Sequence, residues 1–215
     1  VEEMVCTVAE KYCGGLNIET KDEDGNVTKN INLSRPWKRT PYKELIKNVA
    51  GQDWFEITSD QRREKCAELG VEISKQMEDY EVTQQVFEKL VEEKTFDPLY
   101  VTHVPKELVP LAKQNTNDDS LVDVYELIIN GQEISPGYSE LNDPDIQRQR
   151  LMDQAGEETQ KVDEEFLTAL EHGMPPAGGI GIGIDRLVIM LTGAESIRDV
   201  VLFPQLKKSG DEENS

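Results

Sequence analysis

Residue types that staple or metallate small domains are scarce in this 215-residue sequence. Its three cysteines, Cys6, Cys13 and Cys66, are odd in number and form no CxxC pair. That pattern excludes a disulfide framework and a zinc-ribbon site, and it predicts a reducing compartment. The two histidines, His103 and His172, stand far apart and make no HExxH pattern. No apolar run approaches the roughly 20 residues of a membrane span. No signal-peptide pattern opens the chain, so the expectation is a cytoplasmic protein without membrane contact. Positive charge is scarce too: 23 Lys and Arg against 43 Asp and Glu leave a net charge of −20. That sign argues against a dominant phosphate-binding face on this piece. Any nucleic acid contact requires a local basic patch or another domain.

What is present suits a folded domain. Hydrophobic residues at 37% supply a core beneath a surface rich in charge. The length fits one large domain or two small ones. An apolar stripe of Val1, Met4, Val5, Val8, Ala9 and Tyr12 predicts a helix over 1–13, ended by Gly14-Gly15. The chain begins at Val1, inside that stripe, and not at Met, which points to an excised or processed piece of a longer protein. Strands are predicted at 16–20 and 27–33 around Asp24-Gly25. Thr40 as N-cap and Pro41 as first helical residue predict a helix to Ala50. Further helices are predicted at 60–69, closed by Gly70, and at 83–94, with Val86, Phe87, Leu90 and Val91 inward. Residues 99–104 read as a strand ending at Pro105. Residues 122–129 and 132–134 read as strands flanking Asn130-Gly131, a strong hairpin signal. Helices at 143–160 and 162–172 precede a break at Pro175-Pro176. A buried strand over 178–185 then feeds a helix at 186–191. The tail after Lys208 is polar and acidic, and disorder is predicted there. Helices mixed with largely antiparallel strands predict an α+β fold, a mainly antiparallel sheet flanked by helices.

The hairpin carries the first chemical hint. If Asn130-Gly131 is a two-residue turn, Ile128 faces Glu133, and strand alternation puts Glu126 on the same face as Glu133. The two carboxylates become diagonal neighbours within reach of one divalent ion. They repel unless a cation or a proton intervenes. Hard oxygen donors with open positions suit Mg²⁺ carrying nucleotide phosphates. On geometry alone the plainer reading, two hydrated glutamates on a solvent face, is the favoured one. Pro136 and Gly137 inside the second strand suggest a bulge. A one-residue bulge brings Tyr138 and Glu140 onto the face of Glu126 and Glu133, which makes an acidic, aromatic-edged pocket for a cation. Tyr138 serves equally well as sheet packing.

Residues 178–186, GGIGIGIDR, alternate glycine with isoleucine. The isoleucines are expected to pack on one side, while the bare glycine side admits a flat ligand close to the backbone. Arg186 follows at the strand-to-helix junction, placed to grip a phosphate bidentately. Asp185 either orients Arg186 or caps the helix. No GxGxxG register and no GK[ST] follow, which excludes the Rossmann and P-loop readings. The plainer account is tight helix-on-strand packing with Arg186 in an ion pair.

Taken together the segments are more specific. GGIGIGIDRLVIMLTG followed by SIRDVVLFP resembles motif 3 of class II aminoacyl-tRNA synthetases and its downstream helix, in the form seen in lysyl-tRNA synthetases. YELIINGQEISPGYSELNDPDIQRQRL resembles the preceding stretch of that family. RPWKRTPYKEL resembles its segment between motifs 2 and 3, and VPKELVPLAKQN its hPxExSPLAKxN strand exit. The resemblance runs in order over most of 1–208. It implies a class II antiparallel sheet, with 1–208 as the C-terminal portion of the catalytic domain and 209–215 as a tail. It implies that Glu126 and Glu133 hold Mg²⁺ with ATP, and that Arg186 is the catalytic contact to the γ-phosphate. Gly181, Gly183 and Asp185 lie at the nucleotide, with Gly181 and Gly183 also against substrate. Glu140 pairs with the lysine ε-ammonium in a pocket that Tyr138 lines.

Two departures stand out. The family commonly has asparagine where this chain has Pro136, so a ligand contact is lost or supplied otherwise. Motif 1, the motif 2 strands with their arginine, and the anticodon-binding domain are expected to precede Val1. These 215 residues alone are therefore expected to show no lysine-dependent ATP–pyrophosphate exchange. Homodimerisation, which the family achieves largely through motif 1, is expected of the full-length protein, with ATP, lysine and tRNA(Lys) as partners. Two alternatives remain: a paralogue that lysylates a protein, and a non-catalytic module keeping the class II fold.

Overall fold

The first apolar stripe forms α1 (Glu2–Tyr12), which buries Val5, Cys6 and Ala9 and ends before Gly14 and Gly15, both at positive φ. The computed structural model describes residues 1–21, 24–155 and 163–204. The expected tail at 209–215, and residues 156–162 of the two expected helices flanking them, lie outside the described residues. After α1, strands β1 (Asn17–Lys21) and β2 (Val27–Asn32) pair antiparallel, with Ile18 opposite Ile31. This hairpin is a sheet of its own.

The next segment corrects the sequence reading. Lys38–Pro41 is not a helix start but a strand, β3, paired parallel with β4 (Leu99–Thr102). The N-cap of α2 (Tyr42–Ala50) is Pro41, in extended conformation, and not Thr40. Thr40 is buried at 2% exposure in the strand, where ladder pairing with Val101 takes precedence over capping. α3 (Ser59–Glu68) opens with a reciprocal capping box between Thr58 and Gln61 and closes before Gly70 at positive φ. α4 (Asp79–Leu90) starts four residues earlier than the periodicity indicated, because Glu78 and Glu81 form a second capping box. A 3₁₀ turn, Glu92–Lys94, takes the place of its expected last turn.

Strands β5 (Val124–Ile129) and β6 (Gln132–Ser139) form the expected hairpin, with β6 running on through Pro136-Gly137. After α5 (Pro144–Ala155) and α6 (Glu164–Glu171) comes β7, only Gly178–Ile180, then α7 (Ile184–Thr192). The expected strand over 178–185 is thus shorter and more exposed than predicted, although the N–H groups of Gly181 and Gly183 still donate to the Pro136 and Ile134 carbonyls at 2.9 Å. Ile180 and Ile184 are 58% and 61% exposed, so the isoleucines do not form the buried row expected of them. β7 is the sheet edge and, among the described residues, nothing pairs beyond it.

The main sheet runs β3-β4-β5-β6-β7, antiparallel except for the β3–β4 pair, and the fold is α+β. Strand alternation divides the core. Val101, Val124 and Ile128 face Tyr42, Ile46, Trp54, Val86 and Phe87 of the helical layer from α2 to α4. Leu127, Ile129 and Ile134 face α1, the β1–β2 hairpin and α7. Each buried side chain of this size adds about 1.5–3 kcal/mol of hydrophobic stabilisation. The helical layer leaves the β6–β7 end of its face open.

Candidate active site

Asn130 and Gly131 adopt φ of 57° and 77°, the double left-handed turn that fixes a two-residue hairpin. Ile129 then faces Gln132 and Ile128 faces Glu133, the expected register. The ladder shifts next, leaving Ile134 extra, so that Leu127 faces Ser135 and Glu126 faces Pro136. The expected bulge exists, at Ile134, two residues earlier than Pro136. Its consequence is the expected one: Val124, Glu126, Ile128, Glu133, Pro136 and Tyr138 share one face. Tyr138 both packs on the helical core and edges this face.

Glu140 completes the row. It bridges to Ala112, its N–H donates to the Ala177 carbonyl at 3.0 Å, and its carboxylate lies over Gly179. A Cβ at Gly179 would collide with Glu140 Oε1. One at Gly181 would stand 3.4 Å from the Pro136 ring, and one at Gly183 3.4 Å from the Ile134 carbonyl. Only Gly179 must stay bare to leave Glu140 in place; with Gly181 and Gly183, where a Cβ would make ordinary van der Waals contact, it forms a shallow floor beside the carboxylates. Pro136, at the position where asparagine is common in lysyl-tRNA synthetases, presents its ring to that floor and no hydrogen-bond donor.

Glu126 is not a hydrated surface glutamate. Burial, then the charges of Glu133 and Glu92, push its carboxyl up to about 7. Behind it, the Tyr42 hydroxyl donates to Gln84 Oε1 at 3.1 Å. Burial, followed by the charges of Glu126 and Glu88, raises that phenol too. Glu92 is a residue the sequence reading missed. Its carboxylate accepts the Glu133 N–H at 3.0 Å, and burial pushes it up against the pull of that bond and of Arg186. Nothing in the sequence points to it, since 41 residues separate it from Glu133.

Arg186 lies in the first turn of α7, exposed, with Nη1 donating to the Glu133 carbonyl at 2.7 Å. Glu133 is thus held at both backbone groups, by Glu92 and by Arg186. Among the described residues Arg186 makes no ion pair, so the packing role expected of it is filled here by the Glu133 carbonyl. Asp185 neither caps α7, whose N-cap is Gly183, nor pairs with Arg186. It is exposed beside the glycine floor.

Among the described residues no three Cys, His, Asp or Glu side chains converge closely enough to cage a metal ion. Glu126 and Glu133 nonetheless suit Mg²⁺, which binds through one or two carboxylates and takes its remaining oxygens from phosphates and water. Burial is the main cause of the upward push on Glu126, and the charges of Glu133 and Glu92 add to it, a repulsion that a bound cation would relieve.

The sheet face thus carries paired acids, a glycine floor and a helix-borne arginine after it. The chain belongs to the class II tRNA synthetases of the D, K and N group, whose family model matches residues 1–207. It is similar to the lysine–tRNA ligases of Carboxydothermus hydrogenoformans, 42% identical over 213 residues, Bacillus subtilis, 41% over 214, and Staphylococcus epidermidis, 39% over 214. Each alignment covers 96% of this chain and 42% of the relative, so the chain spans about two fifths of their length. No described helix is long and apolar enough to cross a membrane.

Proposed function

We propose that this chain supplies the part of a cytoplasmic lysine–tRNA ligase that binds ATP with Mg²⁺ and the lysine side chain. The observation that carries the reading is the single sheet face on which Glu126, Glu133, Tyr138 and Glu140 meet the glycines of 179–183 and Arg186. Glu126 and Glu133 hold Mg²⁺, which neutralises phosphate charge when bound. Arg186 keeps Glu133 in place with Nη1 and offers its remaining guanidinium donors to the terminal phosphate. Gly181, Gly183 and Asp185 border the nucleotide. Glu140 meets the ε-ammonium, and Tyr138 gives that cation an aromatic wall.

In the full-length ligase the lysine carboxylate attacks the α-phosphorus, forming the aminoacyl-adenylate and releasing pyrophosphate. The aminoacyl group then passes to tRNA(Lys). What this chain contributes is orientation and fixed charge, the terms that dominate such transfers. The full-length protein acts as a homodimer in this reading. Pro136 leaves the bound lysine or nucleotide one hydrogen bond fewer from β6 than an asparagine would give.

Calorimetric titration of the chain with ATP in Mg²⁺, and with lysine, tests the proposal. Arg186→Ala is expected to weaken Mg²⁺-dependent ATP binding about tenfold or more, and Glu140→Gln to weaken lysine while sparing ATP. Mg²⁺-dependent ATP binding untouched by both Arg186→Ala and Glu133→Gln would remove the site from this face.

A further inference from the structure

A cavity of about 930 Å³ lies away from the hairpin site. It opens where the β1–β2 hairpin, the start of β3, α2 and the segment 91–98 meet. None of the residues assigned above to ATP, Mg²⁺ or lysine lines it. Three lysines from separate parts of the chain do: Lys29 on β2, Lys38 at the start of β3, and Lys94 in the 3₁₀ turn.

In a chain of net charge −20, lysines have many carboxylates to choose from. Lys43, Lys65 and Lys89 have taken partners in Asp118, Asp53 and Glu93. Among the described residues Lys29, Lys38 and Lys94 have none. Among the described residues the wall holds one carboxylate, Asp97, and that accepts the Asn32 N–H at 2.8 Å. The local balance is therefore three positive charges against one negative, inverted relative to the whole chain. Protection of a sheet edge accounts for Lys38 on β3 and Lys29 on β2, both edge strands, but not for Lys94 on a turn. Phe96, 43% exposed, adds a ring to the same wall, beside the amide side chains of Asn30 and Asn48.

We propose that this cavity binds a small phosphorylated molecule that carries a flat ring, the phosphate held by Lys29, Lys38 and Lys94 and the ring resting on Phe96. The volume lies in the range of small-molecule pockets. Lysine ammonium groups serve as point charges for phosphate. The inference is independent of the ATP and lysine reading, since the two sites share no residue. They share only a segment: Glu92 turns to Glu133, whereas Lys94, Thr95 and Phe96 turn to the cavity.

The test is calorimetric titration with AMP and with inorganic phosphate at low ionic strength, without Mg²⁺, in an Arg186→Ala background that disables the hairpin site. AMP is expected to bind one to one and phosphate more weakly. The double variant Lys29→Gln/Lys38→Gln is expected to weaken both at least tenfold. Its melting temperature should be unchanged, because both side chains are exposed. Phe96→Ala should weaken AMP and leave phosphate as it was. No heat with either probe, or AMP affinity equal in the lysine variant, overturns the proposal. So does binding of a 12-nucleotide RNA by a chain that ignores AMP, which would make the patch a contact for a strand backbone.

Discussion

At Glu126, burial and two neighbouring carboxylates act in the same direction, and the pH dependence of stability follows from them. Its folded pKa of about 7 lies above the ordinary 4.5, so the folded chain binds this proton more tightly than the unfolded one. Its contribution to stability is most favourable below about pH 4.5, falls between 4.5 and 7, and is a constant penalty above 7. Glu126→Gln should therefore stabilise the metal-free protein above pH 7, by up to roughly 3 kcal/mol, and do little at pH 4. Urea melts at the two pH values check this, and equal effects at both would refute it. Gly179 gives a second residue-scale prediction. A Cβ there displaces the flexible end of Glu140 and touches no backbone. Gly179→Ala should cost less than about 1 kcal/mol in a thermal melt yet weaken lysine binding about tenfold or more.

The β5–β6 hairpin owes its register to two left-handed turn residues, and only one of them is free of Cβ strain. At Gly131 a Cβ would also stand 3.2 Å from the Glu93 carbonyl. Gly131→Ala is expected to destabilise by about 1–2 kcal/mol, measurable by urea denaturation, with a lower ATP affinity if the turn sets the Glu126–Glu133 relation. The same comparison shows how far local signals reach. Asn130-Gly131 and Gly70 were legible because a turn or a helix stop is decided by neighbours in sequence. Thr40-Pro41 was misread because the same residues satisfy a helix start locally and a parallel strand globally, and the strand buries Thr40. The bulge was legible from Pro136-Gly137 as a class of event. Its position at Ile134 was not, since that depends on which residues β5 presents.

On the scale of the whole molecule, a partly buried guanidinium helps tie the loop between β4 and β5 to the site. Arg150 Nη1 on α5 donates to the carbonyls of Pro110 and Ala112, at 3.0 and 2.6 Å. Ala112 bridges to Glu140, and the Lys113 N–H donates to the Ser139 carbonyl at 2.7 Å. Arg150→Met should therefore speed amide exchange at Lys113 and Asp123 about tenfold or more while leaving α2 and α4 protected. Uniform acceleration across the chain would instead mean global destabilisation. The net charge of −20 acts at this scale as well. Added salt should raise the melting temperature by screening self-repulsion, and a melt that falls with salt would contradict it.

By itself the sequence determined the α+β class and the hairpin register, and its resemblance to lysyl-tRNA synthetases put Glu126, Glu133, Tyr138, Glu140 and Arg186 forward as one candidate set. Each of these rests on short-range periodicity, on turn chemistry, or on motifs that resemble those of lysyl-tRNA synthetases. The tertiary structure decided that Lys38–Pro41 is a strand and that Ile180 and Ile184 face outward at a free edge. It also brought Glu92 to the Glu133 amide and gathered Lys29, Lys38 and Lys94 around one cavity. These are pairings between residues tens of positions apart, and no local preference encodes them. They exist only once the sheet has closed and each side chain has found which neighbours, and which charges, share its face.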